Sequence, residues 1–295
     1  MTQPQFAKLV LVSSIALALA ACGSSSDDHH SDTTPTTPPP PAATVGDVVA
    51  LTASNRLVSF DRATPGTIRS NVLVTGLQSG ENLVGIDVRP ADGMLYGVGS
   101  TGRLYTLDAA TGAATNKSRL VADAADTTEP FTALAGASFG VDFNPMADRL
   151  RFMTGTTNHR VNVDTGEVTV DGSLNWVAED ENSEASPMIA AAAYINSYGT
   201  PEATAMYNID SGLGALLQQT APNDGTLATI GMLNVENPGE MMAFDVQTDA
   251  EGANMAWLVT NNTIHSVDLE TGAATAAGEI AADGQIRDLA VLPAM

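Results

Sequence analysis

Four aspartates recur in one short pattern. They are Asp87 in "LVGIDVRP", Asp142 in "FGVDFNP", Asp245 in "MAFDVQT" and Asp288 in "IRDLAVLP". Each interrupts an apolar run at strand spacing. If equivalent strands pack around an axis, the carboxylates converge. Converging carboxylates repel and must bind a cation, share protons or find Arg partners. An all-oxygen set suits calcium or magnesium, and Ca2+ is the cofactor such a ring would hold. Paired carboxylates also serve as acid and base on a sugar. The third reading is architectural, with each Asp accepting hydrogen bonds from turn or strand amides. Arg89, two residues after Asp87, and Arg287, beside Asp288, could neutralise them locally, which puts the architectural reading first. Arg149 and Arg151 follow Asp142 further on.

Other reactive residues offer less. Ser138 sits in "GASFG", which matches G-x-S-x-G, but that elbow needs a helix after the Ser and a strand follows here. His159 and His265 fall in hairpins of different units, so they read as half-exposed strand residues, and no triad or multi-His site is expected. No phosphate loop, dinucleotide fingerprint or EF-hand spacing occurs. Tyr96, Tyr105 and Tyr207 read as strand packing, and "AEDENSEAS" (178–186) as a solvated acidic loop.

The elements that must position the aspartates are hairpins. "GRLYTLDAATGAAT" and "NTIHSVDLETGAATAAG" alternate with period two and then break at Asp and Gly, which supply a turn. Aligning the Asp that closes the first strand gives Asp61, Asp108, Asp164, Asp210 and Asp268, a repeat of about fifty residues. A second strand–turn–strand phrase precedes each hairpin, so a full unit has four strands, the signature of a propeller blade. The expected fold is all-β: a five-bladed β-propeller with blades at 48–77 plus 286–293, 83–121, 134–174, 187–232 and 240–280. The C-terminal strand would join the first blade and close the ring. Blade four has Tyr194 where its siblings have Asp, and "AAAAYI" reads as its tightly packed inner strand.

The phrases "LVGIDVRPADGMLYGVGSTGRLYTLDAATGAAT", "FGVDFNPMADRLRFMTG", "APNDGTLATIGML" and "IRDLAVLP" resemble the bacterial domain of unknown function 4394 family over most of the body. The resemblance implies an exported, propeller-like domain and brings no catalytic residues with it.

Residues 1–21 read as a signal peptide: one Lys, an apolar run and "LAAC" at the end. "LAAC" resembles a lipobox, which makes Cys22, the only cysteine, the expected lipidation site. Residues 22–44 form a Ser/Thr/Pro tether too polar to bury a core. Residues 45–295 are the propeller domain. The expected location is the cell envelope, anchored through lipid to the outer membrane, since Gly23 rather than Asp follows the cysteine. A formal charge of −22 excludes nucleic acid as a partner class. The expected protein is a monomer whose ring binds a small ligand or an envelope partner. The alternative is a metal-assisted hydrolase or lyase acting on a sugar or lactone at the channel.

Overall fold

A computed structural model describes residues 44–136 and 138–293. The leader, Cys22 and nearly all of the tether lie outside the described residues. The strands are β1 (Val48–Thr52), β2 (Arg56–Phe60), β3 (Ile68–Leu73), β4 (Leu83–Val88), β5 (Leu95–Gly99), β6 (Arg103–Leu107) and β7 (Ala114–Arg119). They continue as β8 (Val121–Ala122), β9 (Gly140–Asn144), β10 (Arg149–Thr154), β11 (Thr157–Val161), β12 (Glu167–Val170), β13 (Asn175–Trp176), β14 (Ile189–Tyr194) and β15 (Met206–Asp210). The rest are β16 (Ala215–Ala221), β17 (Thr226–Met232), β18 (Met242–Thr248), β19 (Asn254–Thr260), β20 (Thr263–Val267), β21 (Ala274–Glu279) and β22 (Ile286–Val291). No helix occurs among the described residues.

These strands form five sheets, the blades of a propeller; pairing is antiparallel except where the short strands β8 and β13, leaving the previous blade, add in parallel to β12 and β17. β22 pairs antiparallel with β1, so the chain's last strand is the innermost strand of blade 1. The inner strands touch in the order β22, β4, β9, β14, β18 and back to β22, which closes the ring.

Alternation explains the core. In β1, Val48 and Ala50 face blade 5, while Val49 and Leu51 face blade 2. Both faces of an inner or second strand are therefore buried, and the apolar core divides into five clusters, one in each seam between blades. Each fully buried Leu, Val or Phe contributes about 1.5–3 kcal/mol.

The repeated hairpin phrase forms a joint. Asp108 accepts the amides of Ala110 and Thr111, and Asp268 those of Glu270 and Thr271. The glycine that follows meets the chain leaving the previous blade: Thr75 N donates to Gly112 O, and Val121 N to Gly166 O. Gly112, Gly166 and Gly272 have positive φ, and a Cβ on any of them would strike a backbone carbonyl of that outgoing chain.

Two members of the expected repeat are displaced. Asn162, not Asp164, takes the place of Asp108, with Gly166 N donating to Asn162 O as Gly112 N does to Asp108 O. Asp210 closes the turn between the second and third strands of blade 4; the joint there is at Gly225, whose Cβ would meet the Gly172 carbonyl.

Gly166→Ala should therefore destabilise more than Gly80→Ala. Gly80 has a φ of 77° but open space around it, so it should lose only about 1–2 kcal/mol for the left-handed backbone. Gly166 adds a collision with the Arg119 carbonyl. Urea unfolding of both variants checks this; equal losses would remove the joint.

Candidate functional site

The four aspartates lie on inner strands and all are buried, 2–6 % exposed. Each receives a backbone amide from the next blade. Val291 N donates to Asp245 at 2.6 Å, Ile86 N to Asp288 at 2.8 Å, Phe143 N to Asp87 at 2.7 Å and Tyr194 N to Asp142 at 2.9 Å. The second oxygens of Asp87, Asp245 and Asp288 accept the amide of the residue that follows each. β14 carries no carboxylate, so the seam from blade 4 to blade 5 has no such link.

The same placement brings charge together. One carboxylate oxygen from each of Asp87, Asp142 and Asp245 lies within 4.8 Å of the others. Two oxygens that far apart can both touch one calcium ion at about 2.4 Å. Burial pushes all four carboxyls upward, Asp245 to about 6. The neighbouring Asp245 charge raises Asp87 further, and Asp87 and Asp245 raise Asp142.

The expected Arg partners point elsewhere. Arg89 reaches Asp148 at 2.6 Å, Asp164 at 2.9 Å and Asp92 at 3.2 Å, fastening the rims of blades 2 and 3. Arg151 binds Asp171 at 2.6 Å and Tyr194 Oη at 3.2 Å, between blades 3 and 4. Arg287 donates to the Leu83 carbonyl at 2.9 Å. No guanidinium hydrogen-bonds the aspartate cluster, although Arg62 lowers Asp245 somewhat through space.

One end of the axis is open. A cavity of about 280 Å³ lies at the C-terminal ends of the inner strands, floored by Asp87 and Asp245 and walled by Gln247, Thr248, Asp249 and Tyr198. No basic residue lines it. Met94, Met146, Tyr198 and Met255, all exposed, sit in or beside the turns at this end. At the opposite end Val84, Phe139, Met242 and Arg287 leave only about 10 Å³. The wall residues were missed in the sequence; they stand two to four places beyond Asp245 or in the turn after β14. The arrangement can share protons, hold a divalent cation or present Asp245 as a base near neutral pH.

Ser138 precedes β9 with no helix after it, as expected. His159 and His265 are buried at 8 % and 6 % exposure rather than half-exposed, because seam packing covers the second face of their strands. The acidic loop is ordered against blade 4: Asp180 accepts the Thr229 amide at 2.7 Å.

Because the native carboxyls hold protons that the unfolded chain releases, stability should fall as pH rises from about 4 through 6 and beyond. For Asp245 the shift from 3.8 to about 6 corresponds to roughly 3 kcal/mol at pH 8. Asp245→Asn should remove that share of the pH dependence in urea unfolding at pH 5 and pH 8 with EDTA present; an unchanged slope would mean the carboxyl ionises freely.

No curated protein matches the chain. Among solved structures, a protein of unknown function from Bacteroides thetaiotaomicron is similar at 17 % identity and a TM-score of 0.43, over 83 % of this chain and 60 % of the other. This chain thus spans less than two thirds of that protein's length. A protein of unknown function from Bacteroides caccae shows 10 % identity and a TM-score of 0.41, over 82 % and 97 %. A chain of a nidogen/laminin complex shows 10 % identity and a TM-score of 0.45, over 83 % and 97 %. Residues 56–290 match the model described as Domain of unknown function (DUF4394), and the chain belongs to that family.

Proposed function

We propose that this chain is a lipid-anchored envelope protein whose propeller is a binding module, with the axial cavity as its ligand site. The observation that carries the reading is the cavity itself: about 280 Å³, open at one end, with Asp87, Asp245 and Asp249 as its only charged lining. A pocket with convergent polar groups and perturbed carboxyls is the default place for a ligand. With three carboxylates and no cation in the wall, the ligand carries positive charge or arrives with a metal ion. The lipid anchor rests on the "LAAC" motif at Cys22 and on the polar tether.

A metal-assisted hydrolase or lyase is the second reading. It is favoured by the close approach of Asp87, Asp142 and Asp245 and by an Asp245 carboxyl near 6. A bound divalent cation would supply Lewis acidity, and Asp245 is placed to move a proton.

Thermal unfolding in EDTA, then with millimolar calcium or tetramethylammonium, tests both. A ligand at a hundred times its Kd stabilises by about 2.7 kcal/mol, which for a domain of this size is on the order of 5–10 °C. A rise with either cation, lost in Asp245→Asn, supports the axial site; a rise with calcium alone moves the hydrolase reading forward. No rise with either would leave the aspartates as seam links only. For the anchor, Cys22→Ser should move the protein from the membrane to the soluble fraction, and an unchanged partition would remove the lipid from the account.

A further inference from the structure

The four inner-strand aspartates offer eight carboxylate oxygens, and seven of them accept a backbone amide. The exception is Asp142 Oδ2. Asp87, Asp245 and Asp288 each take the amide of the residue that follows them. In β9 that amide, Phe143 N, is spent on Asp87 of the previous blade at 2.7 Å. Asp142 keeps one hydrogen bond, from Tyr194 N to Oδ1 at 2.9 Å. No donor among the described residues reaches its other oxygen.

Asp142 is 2 % exposed, and a polar atom at that depth normally has a partner. The enclosed atoms without one are Ser70 Oγ, His159 Nδ1, Asn208 Oδ1 and Trp257 Nε1 among the described residues. Asp142 Oδ2 is not sealed in as they are, so it borders space that a water-sized body can occupy. Asp87 and Asp245 are the charges that bear on Asp142 most strongly. One oxygen from each of the three lies within 4.8 Å of the others.

Position separates Asp142 from these two neighbours. Asp87 and Asp245 belong both to the cluster and to the floor of the axial cavity; Asp142 belongs to the cluster alone. A cation shared by the three carboxylates therefore sits beneath the floor, with Asp142 behind it and the cavity in front. An oxygen that accepts one amide keeps a second lone pair for a metal.

We propose that Asp87, Asp142 and Asp245 bind one calcium ion, with Asp142 Oδ2 as its uncommitted ligand, and that the ion's outward coordination positions face the cavity. The proposal rests on the reading of that cavity as the ligand site, and it gives the ligand a class: a small molecule that offers hydroxyl or carboxylate oxygens to the ion. Calcium takes about 6–8 oxygens, so one from each of three carboxylates leaves roughly half the shell for water or for that molecule. The ion also answers a repulsion that no guanidinium relieves by hydrogen bonding.

Asparagine substitutions separate this site from a purely architectural role. Asp142→Asn keeps the oxygen that accepts Tyr194 N and replaces only the uncommitted one, so the fold should stand. Asp288→Asn puts an N–H where a backbone amide needs an acceptor, but Asp288 lies outside the cluster. The full chain, stripped with EDTA and dialysed, is titrated with calcium chloride in a calorimeter. The wild type should bind calcium; Asp142→Asn should bind it about tenfold more weakly or worse, and Asp288→Asn within about threefold of the wild type, because affinity follows the charge and number of the ligands. Asp288→Asn should nonetheless lose more stability to urea than Asp142→Asn. Equal calcium affinity in Asp142→Asn and the wild type would overturn the proposal, as would an absence of binding at millimolar calcium. Stabilisation by tetramethylammonium without calcium binding would sink this inference and leave the cavity reading standing; absence of both would remove the two together. If Asp288→Asn does not fold, Asp142→Asn against the wild type decides alone.

Discussion

A carboxylate that accepts the amide of the neighbouring blade is the interaction on which the ring depends. Inner strands of a propeller lie side by side around the axis and do not form a ladder with one another. Where such a strand buries an amide, that amide still needs an acceptor. Asp245, Asp288, Asp87 and Asp142 provide it in turn for Val291, Ile86, Phe143 and Tyr194. Every blade but the fourth thus reaches the next. β14 has no carboxylate; a run of alanines leads up to Tyr194. Its small side chains allow a very close approach, since a Cβ on Gly140 would sit 2.9 Å from the Cβ of Ala192. The seam from blade 4 to blade 5 is held by apolar packing around Phe244, Leu258 and Ile209 and, beyond the strand ends, by hydrogen bonds of Asn196 and Ser197 with Asn254 and Thr248.

Away from the axis the seams are held differently. Arg89 gathers acids from blade 3 onto the rim of blade 2, and Arg151, paired with Asp171 of its own blade, ties blade 3 to blade 4 through Asn223 and Tyr194. The Arg151 guanidinium is costly to remove, because Asp171, its side chain 5 % exposed, stays behind as buried charge. The consequence reaches the centre. An arginine committed to the rim cannot neutralise the axis, and the cluster of Asp87, Asp142 and Asp245 is left to protons or to a cation.

The blade count, the closing strand and the four aspartates were legible because period-two alternation and a repeated phrase survive in one dimension. The partners of those aspartates were not. Arg89 follows Asp87 by two residues, yet a residue two places along a strand shares its face without sharing its height, and Arg89 sits beyond the strand end among the turn acids of blade 3. Asp164 and Asp210 looked like members of the repeat because Asp before Gly marks any tight turn, whichever hairpin holds it. His159 looked half-exposed because its strand alternates, but a propeller blade buries both faces and a connecting segment covers the remaining edge. The axial wall of Gln247, Thr248 and Tyr198 carries no pattern, since it is made of the last residues of β18 and the turn after β14, and these vary from blade to blade.

The two ends of the axis differ in charge as well as in width. The closed end has Arg287 among Val84, Phe139 and Met242; the open end has Asp87, Asp245 and Asp249. A low-dielectric wall between them concentrates the field along the axis and draws positive charge toward the open mouth. Chain connectivity fixes this polarity. Every inner strand runs the same way about the ring, so the turns that follow them gather at one end, and carboxylates of β4, β9 and β18 meet near the axis. Whatever relieves the repulsion among these carboxylates also strengthens the seams they join.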